Sequence, residues 1–225
     1  MSGRSRHERD LSVPTLAIVG AGPGMGLAIA RTFGRRGFDV ALVARTKEQL
    51  DALADQLGRE GVAGRGQGPR RRHRRTGVLA GPAVPAVPGF TSAAPSEVAV
   101  DNLQPQIEYS FYGAVTAAQA VLPAMREAGT GTLLFTTGGG SVDPVPMLGN
   151  INAAQATLRN WVINLNEELD GSGVYAGHVA IGVWVGGGAV GGAPVGFPTA
   201  TPEQIAPLHW DLHENRDRPE AVFAA

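Results

Sequence analysis

Cysteine is absent from the 225 residues, which excludes disulfide bonds, thiolate catalysis and thiolate-held metals in one step. Charge of either sign is sparse. Charged residues make up 17% of the chain and the net charge is −1, so bulk electrostatics steers it toward neither nucleic acid nor membrane. No apolar run approaches the ~20 residues needed to cross a bilayer. The stretch from Met1 to Asp10 is polar and lacks the apolar core of a signal peptide. The expectation is a cytoplasmic protein with no membrane partner and no nucleic-acid partner. Hydrophobic residues, at 43%, are in the ordinary range for a globular protein. The length suits one α/β domain over residues 14–225, behind a disordered tail at 1–13.

Residues 15–20 form a short apolar run ending in glycine, as a buried parallel strand does. Residues 24–36 follow with Met25, Ile29, Ala30 and Phe33 on one helical face, and Gly37 supplies the stop. A second apolar strand spans 39–44. Thr46 then opens a helix with Gln49 three residues on, the spacing of a capping box. Leu50, Leu53 and Leu57 make its buried stripe, and Gly61 ends it. Strand, helix, strand and helix in this order predict a βαβ unit and a parallel sheet. Further along, the periodicity predicts a long helix over 101–128 interrupted near Pro123, a strand over 132–137 and a helix over 152–170. A strand over 174–181 and a helix over 202–215 complete the pattern, with a Gly- and Pro-rich mobile loop over 182–200 between them.

Residues 64–90 break that order. They are irregular, rich in Gly, Pro, Arg and Ala, and centred on the run from Arg70 to Arg75, which holds five arginines. Without those five, 14 cationic residues would face 20 acidic ones, so the patch is foreign to the rest of the chain. A solvated loop, a patch for an acidic partner and a stretch translated in a shifted reading frame are the three readings. The lack of interleaved aromatics weighs against nucleic-acid binding.

The turn between the first strand and helix reads Gly20-Ala-Gly22-Pro23-Gly24-Met25-Gly26. Glycines let the backbone turn sharply and approach a pyrophosphate without a Cβ clash. The helix that starts there presents N–H groups and the positive end of its dipole to phosphate. A strand before it and a helix after it are the context that makes such a turn a dinucleotide site. Arg45 follows the second strand, where an acidic residue would otherwise grip a ribose 2′-hydroxyl. An arginine there pairs with a 2′-phosphate, which favours NADP(H) over NAD(H). Thr46 adds a hydroxyl beside it.

With these residues placed, the chain resembles the short-chain dehydrogenase/reductase family along most of its length. The glycine turn has that family's G-x3-G-x-G spacing. The segments VALVART, LPAMREAGTGTLLFTTGGG and AAQATLRNWVINLNEEL resemble its second strand, its fourth helix with the fifth strand, and its fifth helix. The resemblance implies a doubly wound Rossmann sheet of about seven strands in a three-layer α/β/α domain. It also implies nicotinamide-dependent oxidoreduction of carbonyl or alcohol substrates. Homo-oligomers through the helices at 101–128 and 152–170 are a further implication.

The family's acid/base set does not carry over. Its lysine position falls on Gln155, and its tyrosine position on Ile151, or on Asn150 if the alignment slips by one. Neither shuttles a proton. The serine position falls near Thr137 or Gly138, with Ser141 further along the same loop, and the asparagine position falls on Ser110. The Asn-Ala-Gly turn after the fourth strand is replaced by 79–84, and only Gly182 remains of the Pro-Gly after the sixth. Other candidates are weaker: His178 reads as a core strand histidine, Tyr109 and Tyr112 as packing or subunit contacts, and Trp161 as core or interface. His209 and His213 have i,i+4 metal spacing, but their charged neighbours read as a solvated face, so no metal is expected. Three functions follow from these residues: an NADP(H)-dependent oxidoreductase with weak or unconventional catalysis, a non-catalytic cofactor-binding sensor or partner subunit, and a defective gene product.

Overall fold

A computed structural model describes residues 13–62, 64–66, 91–186, 193 and 196–224. The N-terminal tail up to Ser12, the arginine run and the 79–84 segment lie outside the described residues.

The apolar runs pair in parallel. β1 (Thr15–Val19) pairs with β2 (Asp39–Val43), and β2 with β3 (Gly64–Gly66). Between them come α1 (Met25–Gly34) and α2 (Lys47–Arg59). β3 lies at the start of the region expected to be irregular. A Gly-Arg-Gly segment has no readable alternation, yet it joins the ladder through backbone bonds, which need none. In the second half, β4 (Gly131–Gly138) pairs with β5 (Val174–Ile181), and β5 with β8 (Glu220–Phe223). A further parallel pair, β6 (Trp184–Val185) with β7 (Thr199–Ala200), forms inside the region expected to be only a loop. Their two-residue lengths carry no period to detect.

The helices of the second half are α3 (Val100–Ile107), α4 (Gly113–Ala128), α5 (Gly149–Glu168) and α6 (Pro202–Asn215). The expected break at Pro123 does not occur, because this exposed proline sits within α4. On the solvent face, the carbonyl it leaves unbonded stays hydrated. The break lies earlier, in a π-helical turn over Glu108–Tyr112, where Gly113 N–H bonds to Glu108 O, five residues back. Thr46 caps α2 in position only, with no side-chain bond. Gln49 leans toward the glycine turn instead, its Nε2 3.9 Å from where a Cβ on Gly22 would stand.

Helices cover both faces of the sheet, giving one α/β/α domain. On one face Leu16, Ile18, Ile29, Phe33, Leu53, Leu57 and Ile205 share a core with Leu134, Val179 and Ile181. On the other, Leu133 and Phe135 pack with Leu158, Val162 and Leu165 of α5 and Met125 of α4. Each fully buried aliphatic chain contributes about 1.5–3 kcal/mol. Among the described residues no hydrogen-bonded ladder joins β1 to β4; side chains and α6 connect the two arrays.

α6 corrects one expectation. Its histidines do not line a solvated face. His209 is fully buried with Nε2 2.9 Å from Thr136 Oγ1, and His213 Nδ1 lies 3.0 Å from Thr132 Oγ1. Two threonines four apart on β4 thus meet two histidines four apart on α6. The His213 ring also packs against Phe33, Phe38 and Trp210. The nearby charges, Asp211, Arg216, Asp217 and Arg218, pair or bond with one another or with backbone at the rim.

Candidate active site

The glycine turn is built as its residue types require. Gly20 has φ +80°, in the left-handed region, and its N–H and that of Ala21 both bond to Val43 O, at 2.8 and 3.0 Å. The end of β2, which carries Arg45, is thereby fastened to the turn. A Cβ on Gly26 would stand 3.0 Å from Ala21 Cα, so this glycine permits close packing of helix on strand. Gly22 and Gly24 differ. A Cβ on either would meet no protein atom closer than 3.9 and 4.0 Å respectively. The protein leaves that space unfilled above a helix start that no side chain caps, a cradle that suits a pyrophosphate. Pro23 is exposed, and Met25 packs partly buried on the core. Arg45 and Thr46 are exposed at the end of β2. Tyr109, in the π-turn, is near enough to feel the Arg45 charge, but burial dominates and pushes its phenol up to about 12.

Of the positions that the resemblance assigned to catalysis, Thr137, Gly138 and Gln155 come together at the C-terminal end of β4. Gly138 N–H donates to Gln155 Oε1 (3.1 Å), so Gln155 ties α5 to the strand end. Gln155 is uncharged and cannot lower a neighbour's pKa as a lysine would. Ile151 is buried and apolar. Asn150, fully buried, has all four amide positions engaged: Oδ1 accepts from Ala93 and Ile151 N–H, and Nδ2 donates to Thr91 O and Asn102 O. It is a structural pin between α5, α3 and the segment before it. Ser110 lies partly buried in the π-turn. Tyr112 is half exposed beside Phe111, which packs on Trp161.

The glycines after β4 are forced by close approach. A Cβ on Gly139 would stand 2.7 Å from Gly182 Cα, and one on Gly140 2.1 Å from Asn152 Oδ1. That compression folds the turn so that Ser141 Oγ reaches Thr137 Oγ1 at 2.8 Å and Gly138 O at 3.0 Å.

Behind this turn stands a polar chain that sequence reading missed. Thr137 Oγ1 is 2.8 Å from His178 Nε2, and His178 Nδ1 is 3.0 Å from Glu220 Oε2. The Arg159 guanidinium holds Glu220 from the other side, with Nη2 2.8 Å from Oε1 and Nε on Oε2. Strand register explains the alignment. Phe135 pairs with His178 and Thr137 with Ala180 across β4–β5, while His178 pairs with Glu220 across β5–β8. All therefore share one face of the sheet. Burial lowers the His178 pKa, against the pull of Glu220, so the imidazole is neutral at neutral pH. Glu220 is held below its usual range by Arg159 first and His178 second, with burial opposing. Treating 219–223 as a last strand would have suggested the His178–Glu220 pair. Among the described residues, no group of three or more histidines and carboxylates that could hold a metal is present, and no helix is long and apolar enough to cross a membrane.

This is a doubly wound parallel α/β architecture with a glycine turn at the carboxyl end of the first strand, the place where such folds bind dinucleotides. The family model for short chain dehydrogenases matches residues 14–66, which hold β1 to β3 and the glycine turn. Over that segment the chain is similar to the short-chain dehydrogenase/reductase family. It is similar to a very-long-chain 3-oxoacyl-CoA reductase of Pyricularia oryzae, 26% identical over 172 residues, which are 70% of this chain and 52% of that one. The chain spans about half the length of such curated relatives. Its fold matches a short-chain dehydrogenase from Sphingobium yanoikuyae in complex with NADPH at a TM-score of 0.76. That match is 24% identical and covers 93% of this chain and 87% of the other. L-sorbose reductase from Gluconobacter frateurii, complexed with NADPH and L-sorbose, matches at 0.75 with 20% identity, covering 95% of each chain.

Proposed function

We propose that this chain binds NADP(H) across the glycine turn and interconverts a carbonyl and an alcohol by an acid/base route other than the tyrosine–lysine one. The observation that carries the reading is the open space over Gly22 and Gly24 beside an uncapped helix start, with Arg45 tethered to it through Val43. When bound, the nicotinamide supplies two-electron chemistry. The protein's own part is to bind and orient. Backbone at Gly22 to Gly26 takes the pyrophosphate, and Arg45 and Thr46 take the 2′-phosphate. Gln155, anchored through Oε1, presents its Nε2 amide as a donor toward a ribose. The two relatives solved with NADPH support this choice of cofactor.

A cytoplasmic setting accords with an intracellular cofactor. Assembly of copies through α4 and α5 belongs to the same reading, supported by the half-exposed Tyr112 and the incompletely covered Val121 and Leu122; light scattering would read a dimer or tetramer.

The decisive experiment is titration of NADPH and NADH against tryptophan fluorescence. NADPH should bind the more tightly, and Arg45→Ala should weaken NADPH far more than NADH. No binding of either at millimolar cofactor overturns the proposal, and equal losses refute the 2′-phosphate role. The competing reading, a non-catalytic cofactor sensor, is favoured by Ile151 and Gln155. It predicts NADPH binding with no turnover across a panel of carbonyls and alcohols.

A further inference from the structure

Conversion of an alcohol to a carbonyl must dispose of a proton, and neither Ile151 nor Gln155 accepts one. Among the described residues, a base, His178, is buried behind the Gly138–Ser141 turn. His178 is fully buried, and Thr137 and Ser141 are nearly so. A charged-residue pair and two hydroxyls along one line are costly to bury unless every partner is supplied, and here each is.

Counting donors gives the line a direction. The Glu220 carboxylate only accepts, so the proton of the neutral imidazole sits on Nδ1 and Nε2 carries a lone pair. Thr137 has one hydroxyl proton, and of its two acceptors, His178 Nε2 at 2.8 Å and Gly138 O at 3.1 Å, the imidazole lone pair is the shorter contact. The Thr137 oxygen can then accept from Ser141 Oγ–H at 2.8 Å, a proton for which Gly138 O at 3.0 Å is the other acceptor. Ser141 lies in the same turn as Gly138, whose N–H is held by Gln155 at the position where the family's lysine stands. The outer end of the line therefore lies in the turn that Gln155 anchors, and the inner end closes on a base.

We propose that Ser141, Thr137 and His178, oriented by Glu220, form a proton relay in which the two hydroxyls pass a substrate proton to His178 Nε2. The inference rests on the oxidoreductase reading above and supplies the acid/base that reading lacks. In the oxidative direction the substrate O–H gives its proton to Ser141 Oγ, the Ser141 proton passes to Thr137 Oγ1, and the Thr137 proton passes to His178 Nε2. The substrate's carbon-bound hydrogen leaves with its electron pair to an oxidised nicotinamide dinucleotide, the oxidant by class. The products are a carbonyl, the reduced dinucleotide and an imidazolium paired with Glu220; reduction runs the same steps backward. His178 and Glu220 act through the hydroxyls, as positioning residues that store the proton. The charged groups facing the imidazole are Glu220 from β8 and Arg159 from α5. Arg159 neutralises the carboxylate in part, which keeps the imidazolium from being over-stabilised.

The test is nitrogen NMR of the full chain labelled with 15N-histidine, with His178 assigned by comparison with His178→Gln. At pH 7.5 the relay requires the tautomer protonated on Nδ1. Line-shape analysis across the titration then measures how fast His178 exchanges its proton with solvent. Ser141→Ala leaves the imidazole's own two bonds intact, yet should slow that exchange at least about tenfold. Thr137→Val should do the same, and Thr137→Ser should restore it. A proton on Nε2, or exchange rates unchanged by both substitutions, overturns the relay and leaves His178 a static core residue. NADPH binding, measured on the same samples, is expected to persist in every variant. Its absence in the unmodified protein would count against the cofactor reading, while its presence with the wrong tautomer would count against the relay alone.

Discussion

Glu220 stands in register with His178 across the parallel strands β5 and β8, its Oε2 3.0 Å from the imidazole Nδ1. The same oxygen accepts from Arg159, so one carboxylate orients a base and anchors α5. Glu220→Gln keeps the shape and removes the charge. It should cost about 2 kcal/mol, in the range for hydrogen bonds to charged groups, because Arg159 loses its counter-charge. Urea unfolding with an unchanged slope would report it; an unaltered midpoint would mean that the pair contributes nothing.

Acid should destabilise the fold before the carboxylates titrate. Burial lowers His209 to about 4 against a smaller opposing pull from the Ile205 backbone, and its Nδ1 has no hydrogen-bond partner. His213 is lowered to about 4 by burial and then by Arg216. Above about 6.5 these groups are neutral in both folded and unfolded chains, so they contribute no pH dependence. As pH falls from there toward 4, the unfolded chain takes protons that the folded one refuses, and stability is lost. For His209 the loss amounts to about 3 kcal/mol. Chemical denaturation at pH 7, 5.5 and 4 would trace it, and His209→Leu should flatten part of the slope.

Two glycine substitutions should separate binding from folding. Gly22→Ala meets no protein atom within 3.9 Å, so stability should change by no more than about 0.5 kcal/mol while NADPH affinity drops. Gly140→Ala would drive its Cβ to 2.1 Å from Asn152 Oδ1 and should cost about 1–3 kcal/mol through overpacking. Thermal melts beside NADPH titrations of both variants would show whether the two losses are distinct.

Asn150 is the third point of sensitivity. Asn150→Ala leaves the Ala93 N–H and the Thr91 and Asn102 carbonyls without their amide partner. The expected cost is about 3 kcal/mol, with hydrogen exchange at Ala93 accelerated more than in β1. Uniform protection in the variant would contradict the pin.

What was legible in the sequence was what repeats locally. The β1 turn, α1, β2 and the Leu53–Leu57 stripe of α2 declare themselves by period and by glycine, and β5 and α6 fall at their expected bounds. The glycine cradle was visible for the same reason. The relay was not, because it depends on the registers of β4, β5 and β8, in which Thr137 and Glu220 lie on either side of His178 but far from one another along the chain. The misreading of His209 and His213 has a similar origin. Charges at 211, 214 and 216–218 made the helix look wet, while the partners that let the histidines go inside, Thr132 and Thr136, lie some eighty residues earlier. Thr46 and Gln49 show the converse, a correct local motif overruled when Gln49 turned toward Gly22.

α6 packs through Trp210 on Phe33 and Phe38 of the first array, while His209 and His213 grip β4 of the second. A polypeptide emerging from the ribosome therefore has β1 to β5 synthesised before it has the helix that clamps them. Until Leu212 and the strand after it are made, Phe33 and the inner face of β4 have no lid, and the nascent protein must be kept from sticking to its neighbours. The keystone, α6, is translated after most of the strands it joins, so the time spent waiting for it sets how exposed the half-built molecule is.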